Sequence, residues 1–148
     1  MTGSDGYTGV YGGTAYPAGK GAVASLGLSM AGDLKNHGVR VNVVCPGART
    51  RMSTGDDYVA HIRDLNRRGI LSDAMMHGSL NVAGPEYVAP LYVYLISDLA
   101  EGITGKVLNG SGGFIAEYTI PQKQPKGYRD PQSNPPYTLE EVNEIVRR

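Results

Sequence analysis

The run Val39–Cys45 (VRVNVVC) carries four valines in seven residues and closes on Pro46-Gly47. That is the chemistry of a strand running into a turn. In front of it lies an Ala- and Gly-rich stretch, from about 16 to 36, where Val23, Leu26, Met30 and Leu34 recur at helical spacing. Gly38 stands just beyond His37 as the stop. Behind the strand, Pro85 opens the apolar segment Glu86–Leu99 (EYVAPLYVYLISDL), whose helix is expected to be buried on more than one side. Gly102 and Gly105 break that helix, and Lys106–Asn109 follows as a short strand. Helix, strand, long connection, helix, strand is the order of an α/β fold with parallel strands. Two strands are too few, because a parallel pair flanked by bulky apolar helices belongs inside a larger sheet covered on both faces. The sequence reads as part of a fold.

Composition narrows the function classes. Fourteen Lys+Arg balance fourteen Asp+Glu in 148 residues, which argues against a nucleic-acid or anionic-membrane partner, since either needs a concentrated basic face. The 41% hydrophobic share is well clear of disorder. Twenty-one glycines are about twice ordinary usage and follow no collagen period, so they mark tight turns and close backbone approaches. The single cysteine, Cys45, excludes an internal disulfide framework and fits a reducing compartment. No apolar run approaches a membrane span, and MTGSDGYTGV has neither part of a secretory signal. The expected location is the cytoplasm.

The remaining segments are less regular. Residues 48–84 are weakly periodic and are expected to form a mobile loop with one or two short helices. Gly110-Ser-Gly112-Gly113 follows a strand but lacks the last glycine of a dinucleotide fingerprint, so it reads as a turn. Residues 119–136 are Pro- and Gln-rich, an extended arm. Thr138 and Glu141 make a capping box, with Tyr137 and Val142 spaced as a hydrophobic staple, opening a helix to about Arg147. The expected division is 1–118 for the main unit and 119–148 for the arm and terminal helix.

Chemistry concentrates in Tyr16-Pro-Ala-Gly-Lys20. Residues four apart on a helix share a face, so the phenol and the ammonium project into the same space. An ammonium favours the ionised form of a neighbouring phenol, which lets such a pair serve as acid or base near neutral pH. Taken alone, the spacing also describes an ordinary solvent-facing pair.

Tyr16–Lys20 followed by Gly38-Val-Arg-Val-Asn-Val-Val-Cys-Pro-Gly47 resembles the short-chain dehydrogenase/reductase family, with its YxxxK helix and RVNxxxPG strand and turn. Tyr16–Lys20, Asn42–Met52 (NVVCPGARTRM), Pro85–Leu95 (PEYVAPLYVYL) and Thr138–Val146 are further similar to the 3-hydroxyacyl-CoA dehydrogenase domain of multifunctional enzymes. The resemblance implies the C-terminal part of a Rossmann-like, doubly wound parallel sheet. It implies an oxidoreductase that interconverts a secondary alcohol, with 3-hydroxyacyl-CoA as one substrate, and a ketone, using NAD or NADP. Tyr16 would move the proton at the substrate oxygen. Lys20 would hold the nicotinamide ribose and support Tyr16. Pro46 and Gly47 would shape the turn beside the nicotinamide, Thr50, Ser53 or Thr54 would touch the cofactor, and residues 50–80 would close over the substrate.

Two departures qualify that expectation. The family's serine lies thirteen residues before the tyrosine, where this chain has Gly3; Ser4 is one place off, while Gly6, Gly9 and Gly12 match the loop without a gap. Either Ser4 serves through a local shift, or the hydroxyl is absent and Ser4 is a turn residue. The nucleotide-binding half that should precede Tyr16 is expected to be missing, leaving the chain weakly active or inactive alone. The alternative reading is a non-catalytic remnant, or a subunit pairing with a separate nucleotide-binding half; homo-oligomer formation or pairing with another chain is expected in either case. A small acyl-CoA or lipid module is a third reading, resting on Arg63, Arg67 and Arg68, which otherwise form a solvated face. His37, His61 and His77 have no ligand spacing, so no metal is expected. Cys45 reads as a small core residue, and Tyr87, Tyr92 and Tyr94 as packing or contact residues.

Overall fold

The computed structural model describes residues 1–9, 13–119 and 123–148. Gly12 of the loop match and residues 120–122 of the arm therefore lie outside the described residues. The valine-rich run enters the sheet as strand β1 (Val43–Gly47), which pairs in parallel with β2 (Val107–Ser111), Val43 opposite Val107 and Gly47 opposite Ser111. The expected parallel pair is present. The sheet is nevertheless mixed, because Gly112-Gly113 turns the chain straight back into β3 (Phe114–Glu117), antiparallel to β2. A two-residue connection can join only antiparallel neighbours, and the sequence reading had no third strand. On the other side of β1, Thr2 forms an isolated parallel bridge with Val44, and the Gly3 N–H donates to the Val44 carbonyl at 2.7 Å.

β1 begins four residues later than expected because Val39–Asn42 spend their polar groups elsewhere. Arg40 donates to the carbonyls of Leu95 (2.8 Å) and Ser97 (3.1 Å), while the Val41 N–H donates to the Thr104 hydroxyl. The buried Asn42 donates to the Ile103 carbonyl and accepts from the Lys106 N–H. The Arg-Val-Asn motif is thus a clasp between the start of one strand and the loop leading to the other.

Helix α1 (Ala15–Leu34) continues in a 3₁₀ turn to His37 and ends at Gly38, whose φ of 70° is the left-handed conformation that glycine adopts without penalty. Its inward residues are Ala24, Gly27 and Ala31, spaced by three and four, while Leu26 on the larger apolar row is half exposed. A Cβ at Gly27 would collide with the Val43 side chain. The helix axis can lie this close to β1 only over small residues.

Residues 48–84, expected to be a mobile loop with one or two short helices, contain two helices. Helices α2 (Asp56–Arg67) and α3 (Asp73–Leu80) form a pair with a core of its own, the buried Ile62, Leu65 and Leu71 under Tyr58, Ile70, Met76 and Leu80. Ser72 caps α3 by accepting from the Met75 N–H, and the Tyr58 hydroxyl donates to the Ser79 carbonyl at 3.1 Å. Arg67 and Arg68 both pair with Asp64 on the same helix.

The segment expected to be one helix buried on more than one side is instead a 3₁₀ turn, helix α4 (Ala89–Ile96) and a second 3₁₀ turn. Val88 and Leu91 are buried, but Val93, Ile96 and Leu99 are 61%, 81% and 83% exposed. One face packs on the sheet and the other is open.

Helix α5 (Leu139–Arg147) opens with the expected capping box: Thr138 accepts from the Glu141 N–H, and Glu141 accepts from the Thr138 N–H at 2.8 Å. Arg129 grips the same carboxylate through both nitrogens, at 2.6 and 3.0 Å, and lies 4.1 Å above the Tyr137 ring.

Two predictions follow from these contacts. Replacing Gly27 by Val forces α1 off β1, so it should lower stability by about 1–3 kcal/mol, the usual cost of overpacking, read by urea unfolding. For the terminal helix, Arg129, then the Thr138 N–H, hold the Glu141 carboxyl below its ordinary range. A depressed carboxyl contributes stability that is complete above the unfolded value of ~4.3 and is lost as pH falls through the folded value. The protection of the α5 amides, exchange taken relative to the intrinsic rate at each pH, should therefore be flat from neutral pH to about that value and fall below it, whereas Glu141→Gln should be weakly protected throughout.

Candidate functional site

Where β1 ends, the chain opens a cavity of about 600 Å³ between the sheet and the α2–α3 pair. Its floor is Ser4, Asp5, Tyr16, Pro46, Gly47 and Ser111; its roof includes Tyr58, His61, Ile62, Leu65 and Met75. Open parallel sheets bind ligands at the carboxyl ends of their strands, and β1 and β2 both point their carboxyl ends here. Gly47 is dictated by the neighbouring strand, since a Cβ there would overlap the Ser111 side chain.

Tyr16 lies in the first turn of α1 and is 56% exposed, with its ring against Gly6; a Cβ at Gly6 would stand 2.9 Å from Tyr16 Cε1. Lys20 is half-buried one turn on, its ammonium 5.8 Å from the centre of the Tyr16 ring. The two groups share one face of α1, and the phenol reaches the cavity.

The match to known proteins follows that geometry. Residues 1–115 match the family model described as Enoyl-(Acyl carrier protein) reductase. The chain belongs to the short-chain dehydrogenase/reductase family. It is similar to the meso-2,3-butanediol dehydrogenase of Serratia marcescens, 39% identical over 113 residues that cover 75% of this chain and 41% of the relative. Among solved structures it resembles a short chain dehydrogenase from Mycobacterium avium, at 30% identity and a TM-score of 0.66, over 99% of this chain and 42% of that one. The peroxisomal multifunctional enzyme type 2 of Drosophila melanogaster shares the fold at 19% identity and a TM-score of 0.63, over 99% of this chain and 23% of that one. The chain spans about two-fifths of the length of the curated relatives it matches.

Within this short-chain dehydrogenase/reductase chain the serine question has a structural answer. Gly3 is buried against β1, and a Cβ there would stand 2.8 Å from Val43 Cγ1 and 3.1 Å from Cys45 Sγ. A side chain at position 3 would point into the core. Ser4 lines the cavity, and it also does the local work of a cap: its hydroxyl accepts from the Gly6 N–H at 3.1 Å and opens the 3₁₀ turn Asp5–Thr8.

The remaining candidates divide. Pro46, Gly47 and Ser53 line the cavity. Thr50 is exposed and commits its hydroxyl to the Met52 N–H in a capping box with Ser53. Thr54 donates to the Thr50 carbonyl. Cys45 is fully buried, its thiol pushed up to about 11 by burial and then by the Asp5 carboxylate, so it is the inert core residue the sequence suggested. No group of three His, Cys, Asp or Glu side chains among the described residues could hold a metal, and no helix among them is long and apolar enough to cross a membrane.

The sequence reading passed over Tyr58, Asp5 and the Asn109 side chain, and weighed His61 only as a metal ligand. Tyr58 and His61 come from α2, where Tyr58, Ile62 and Leu65 at helical spacing were the available signal. Asp5 and Asn109 meet across 104 residues: the Asn109 amide donates to both Asp5 oxygens, at 2.9 and 3.0 Å, and to the Cys45 carbonyl at 3.1 Å. Only the paired β1 and β2 bring them together. Beside them the Tyr118 phenol is held protonated well above its ordinary range by burial and the Asp5 carboxylate, and it meets Tyr7 edge-to-face at 5.3 Å.

Because position 3 faces the core, Gly3→Ser should not supply a site hydroxyl. It should cost about 1–3 kcal/mol of stability by overpacking, measured by urea unfolding; a variant as stable as the wild type would mean that position 3 can turn toward the cavity.

Proposed function

We propose that the cavity is the reacting end of an NAD(P)-dependent oxidoreductase that interconverts a secondary alcohol and a ketone. The observation that carries this reading is the Tyr16 phenol at the cavity wall with the Lys20 ammonium 5.8 Å from its ring. In the oxidative direction Tyr16 takes the proton from the substrate hydroxyl; in the reductive direction it returns it to the carbonyl oxygen. Lys20 would hold the hydroxyls of a nicotinamide ribose beside the Tyr16 ring. Ser4 orients the substrate oxygen by donating its O–H while its oxygen keeps accepting from the Gly6 N–H. Pro46 and Gly47 would hold the nicotinamide at the cavity floor. Thr50 would meet the cofactor through its O–H, its oxygen still accepting from the Met52 N–H. The cofactor, used across the family, supplies the hydride, and the protein supplies orientation and proton transfer. The α2–α3 pair, with its apolar Ile62, Leu65, Met75 and Val82, excludes water from the reacting centre.

A 3-hydroxyacyl thioester is the narrower substrate implied by the multifunctional-enzyme likeness, which at 19% identity speaks for the fold. The sheet is read as the C-terminal part of a Rossmann-like, doubly wound sheet.

The residues named here reach the nicotinamide and its ribose. Surface for the adenosine half is proposed to come from further polypeptide, either a partner chain or a longer form of this one, and the open apolar face of α4 supports that pairing. The test is ketone reduction with NADH and NADPH by the purified chain, alone and mixed with a nucleotide-binding half of a related dehydrogenase, with Tyr16→Phe in parallel. Expected is turnover in the mixture that falls on the order of 10²–10⁴-fold in Tyr16→Phe, the usual contribution of a positioned acid or base. Unchanged turnover in Tyr16→Phe overturns the assignment, and tight cofactor binding by the chain alone in calorimetry overturns the pairing.

A further inference from the structure

The ends of β1 and β2 build the cavity floor, and their register fixes which positions face it. Gly47 stands opposite Ser111, as Cys45 stands opposite Asn109 and Val43 opposite Val107. Side chains alternate along a strand, so these positions all lie on one face of the sheet. It is the face that α1 covers: Gly27 lies over Val43, and Leu28 packs on the cluster of Val43, Cys45 and Val107. Tyr16 stands in the first turn of the same helix and lines the same cavity as Ser111. The Ser111 side chain occupies the place that a Cβ on Gly47 would take, so glycine at 47 is what gives the serine its room. The Ser111 hydroxyl is half-buried, opens to the cavity and has no hydrogen-bond partner among the described residues. Ser4 and Ser53, which line the same cavity, are already engaged: Ser4 accepts from the Gly6 N–H, and Ser53 accepts from the Thr50 N–H and donates to the Ala48 carbonyl.

We propose that Ser111 is a specificity-determining residue that hydrogen-bonds a second oxygen of the substrate, carried one or two carbons from the reacting carbon. This rests on the oxidoreductase reading of the same cavity, in which the nicotinamide lies at Gly47 and Tyr16 takes the reacting oxygen. Paired strands stand about 4.8 Å apart, so Ser111 sits one strand spacing to the side of Gly47, within reach of a substituent close to the reacting carbon. A hydroxyl both donates and accepts, so the second oxygen is a hydroxyl or a carbonyl. Ile62, Leu65 and Met75 in the roof supply apolar surface only, which leaves the discrimination to the floor. A substrate with one oxygen covers the Ser111 hydroxyl, strips its water and returns no partner. The site therefore favours hydroxyketones, diketones and diols over simple ketones and alcohols of the same size.

Two pairs of ketones isolate the second oxygen, because in each pair a hydroxyl is exchanged for a methyl. Hydroxyacetone is set against butan-2-one, and 4-hydroxybutan-2-one against pentan-2-one. Their binding to the ¹⁵N-labelled full chain is followed by amide shifts at Gly47 and Ser111. In at least one pair the hydroxyketone should bind about three- to tenfold more tightly, the scale of one net hydrogen bond. Ser111→Ala keeps the Cβ beside Gly47 and removes only the hydroxyl, and in it the methyl partner should bind at least as tightly. Ser111→Gly gives the same comparison should the alanine variant not fold. Methyl partners as tight as the hydroxyketones in the wild type, no binding by any of the four, or a preference that survives both substitutions overturns the proposal. The oxidoreductase reading fails separately: a Ser111-dependent preference beside turnover unchanged in Tyr16→Phe overturns that reading and leaves the second-oxygen contact standing.

Discussion

The contact on which the site depends is the close approach of α1 to β1. Ala24, Gly27 and Ala31 present almost no side chain, so the helix backbone settles against Val43. Tyr16 and Lys20 belong to the same rigid helix, and their position over the end of β1 is set by how near its inward face can come. A longer inward residue would move the whole helix, and with it the phenol, by the length of a side chain. Catalytic geometry tolerates far less than that. The small residues contribute little apolar area of their own; their value is positional.

A second constraint works on the loop beside that helix. The loop carrying Ser4 and Asp5 has few apolar anchors, and it is fixed by polar ones: the Met1 and Gly3 backbone on β1, and Asn109 on β2 holding the Asp5 carboxylate. Asn109 is buried, and removal of its partner would strand a desolvated amide, which costs more than the bond contributes. The loop is therefore held in place by the cost of the alternative. Tyr7, Tyr118 and Cys45 fill the space behind it, and burial keeps all three groups in their neutral forms.

How much of this was legible in the sequence depends on the range of the interaction. The helix stop at Gly38, the Pro46-Gly47 turn, the Thr138–Glu141 box and the Tyr16–Lys20 pair are local, and local chemistry specifies each. The parallel pairing of β1 with β2 follows from element order. The inward face of α1 was not legible, because hydrophobic periodicity weighs Leu26 above Gly27, while packing distance weighs them the other way. Arg40 and Asn42 were visible as a motif, yet their work as a clasp depends on carbonyls more than fifty residues away. Asp5 with Asn109 had no signal at all, since nothing in a single sequence couples positions 104 apart. The α2–α3 pair lay between these cases: Tyr58, Ile62 and Leu65 had the right spacing, diluted by the charged residues between them.

The open surfaces follow from the same physics. A parallel pair is ordinarily covered on both faces, and here α1 covers one face of β1 while α4 brings only Val88 and Leu91 to the sheet. Pro90, Leu91, Tyr94, Ile103, Leu108 and Ile115, with the Lys106–Glu117 ion pair, surround a second cavity of about 450 Å³. Beside it Val93, Ile96, Leu99, Phe114 and Ile115 are largely exposed. Scattered apolar residues on a surface need no explanation, but these are contiguous along one helix and one hairpin. At ~25 cal/mol per Å² of apolar area removed from water, covering such a face stabilises whatever surface it meets by several kcal/mol. The cavity with Tyr16 lies at the strand ends and does not share this lining, so closing the open face would rigidify the sheet under the site without occluding the site itself.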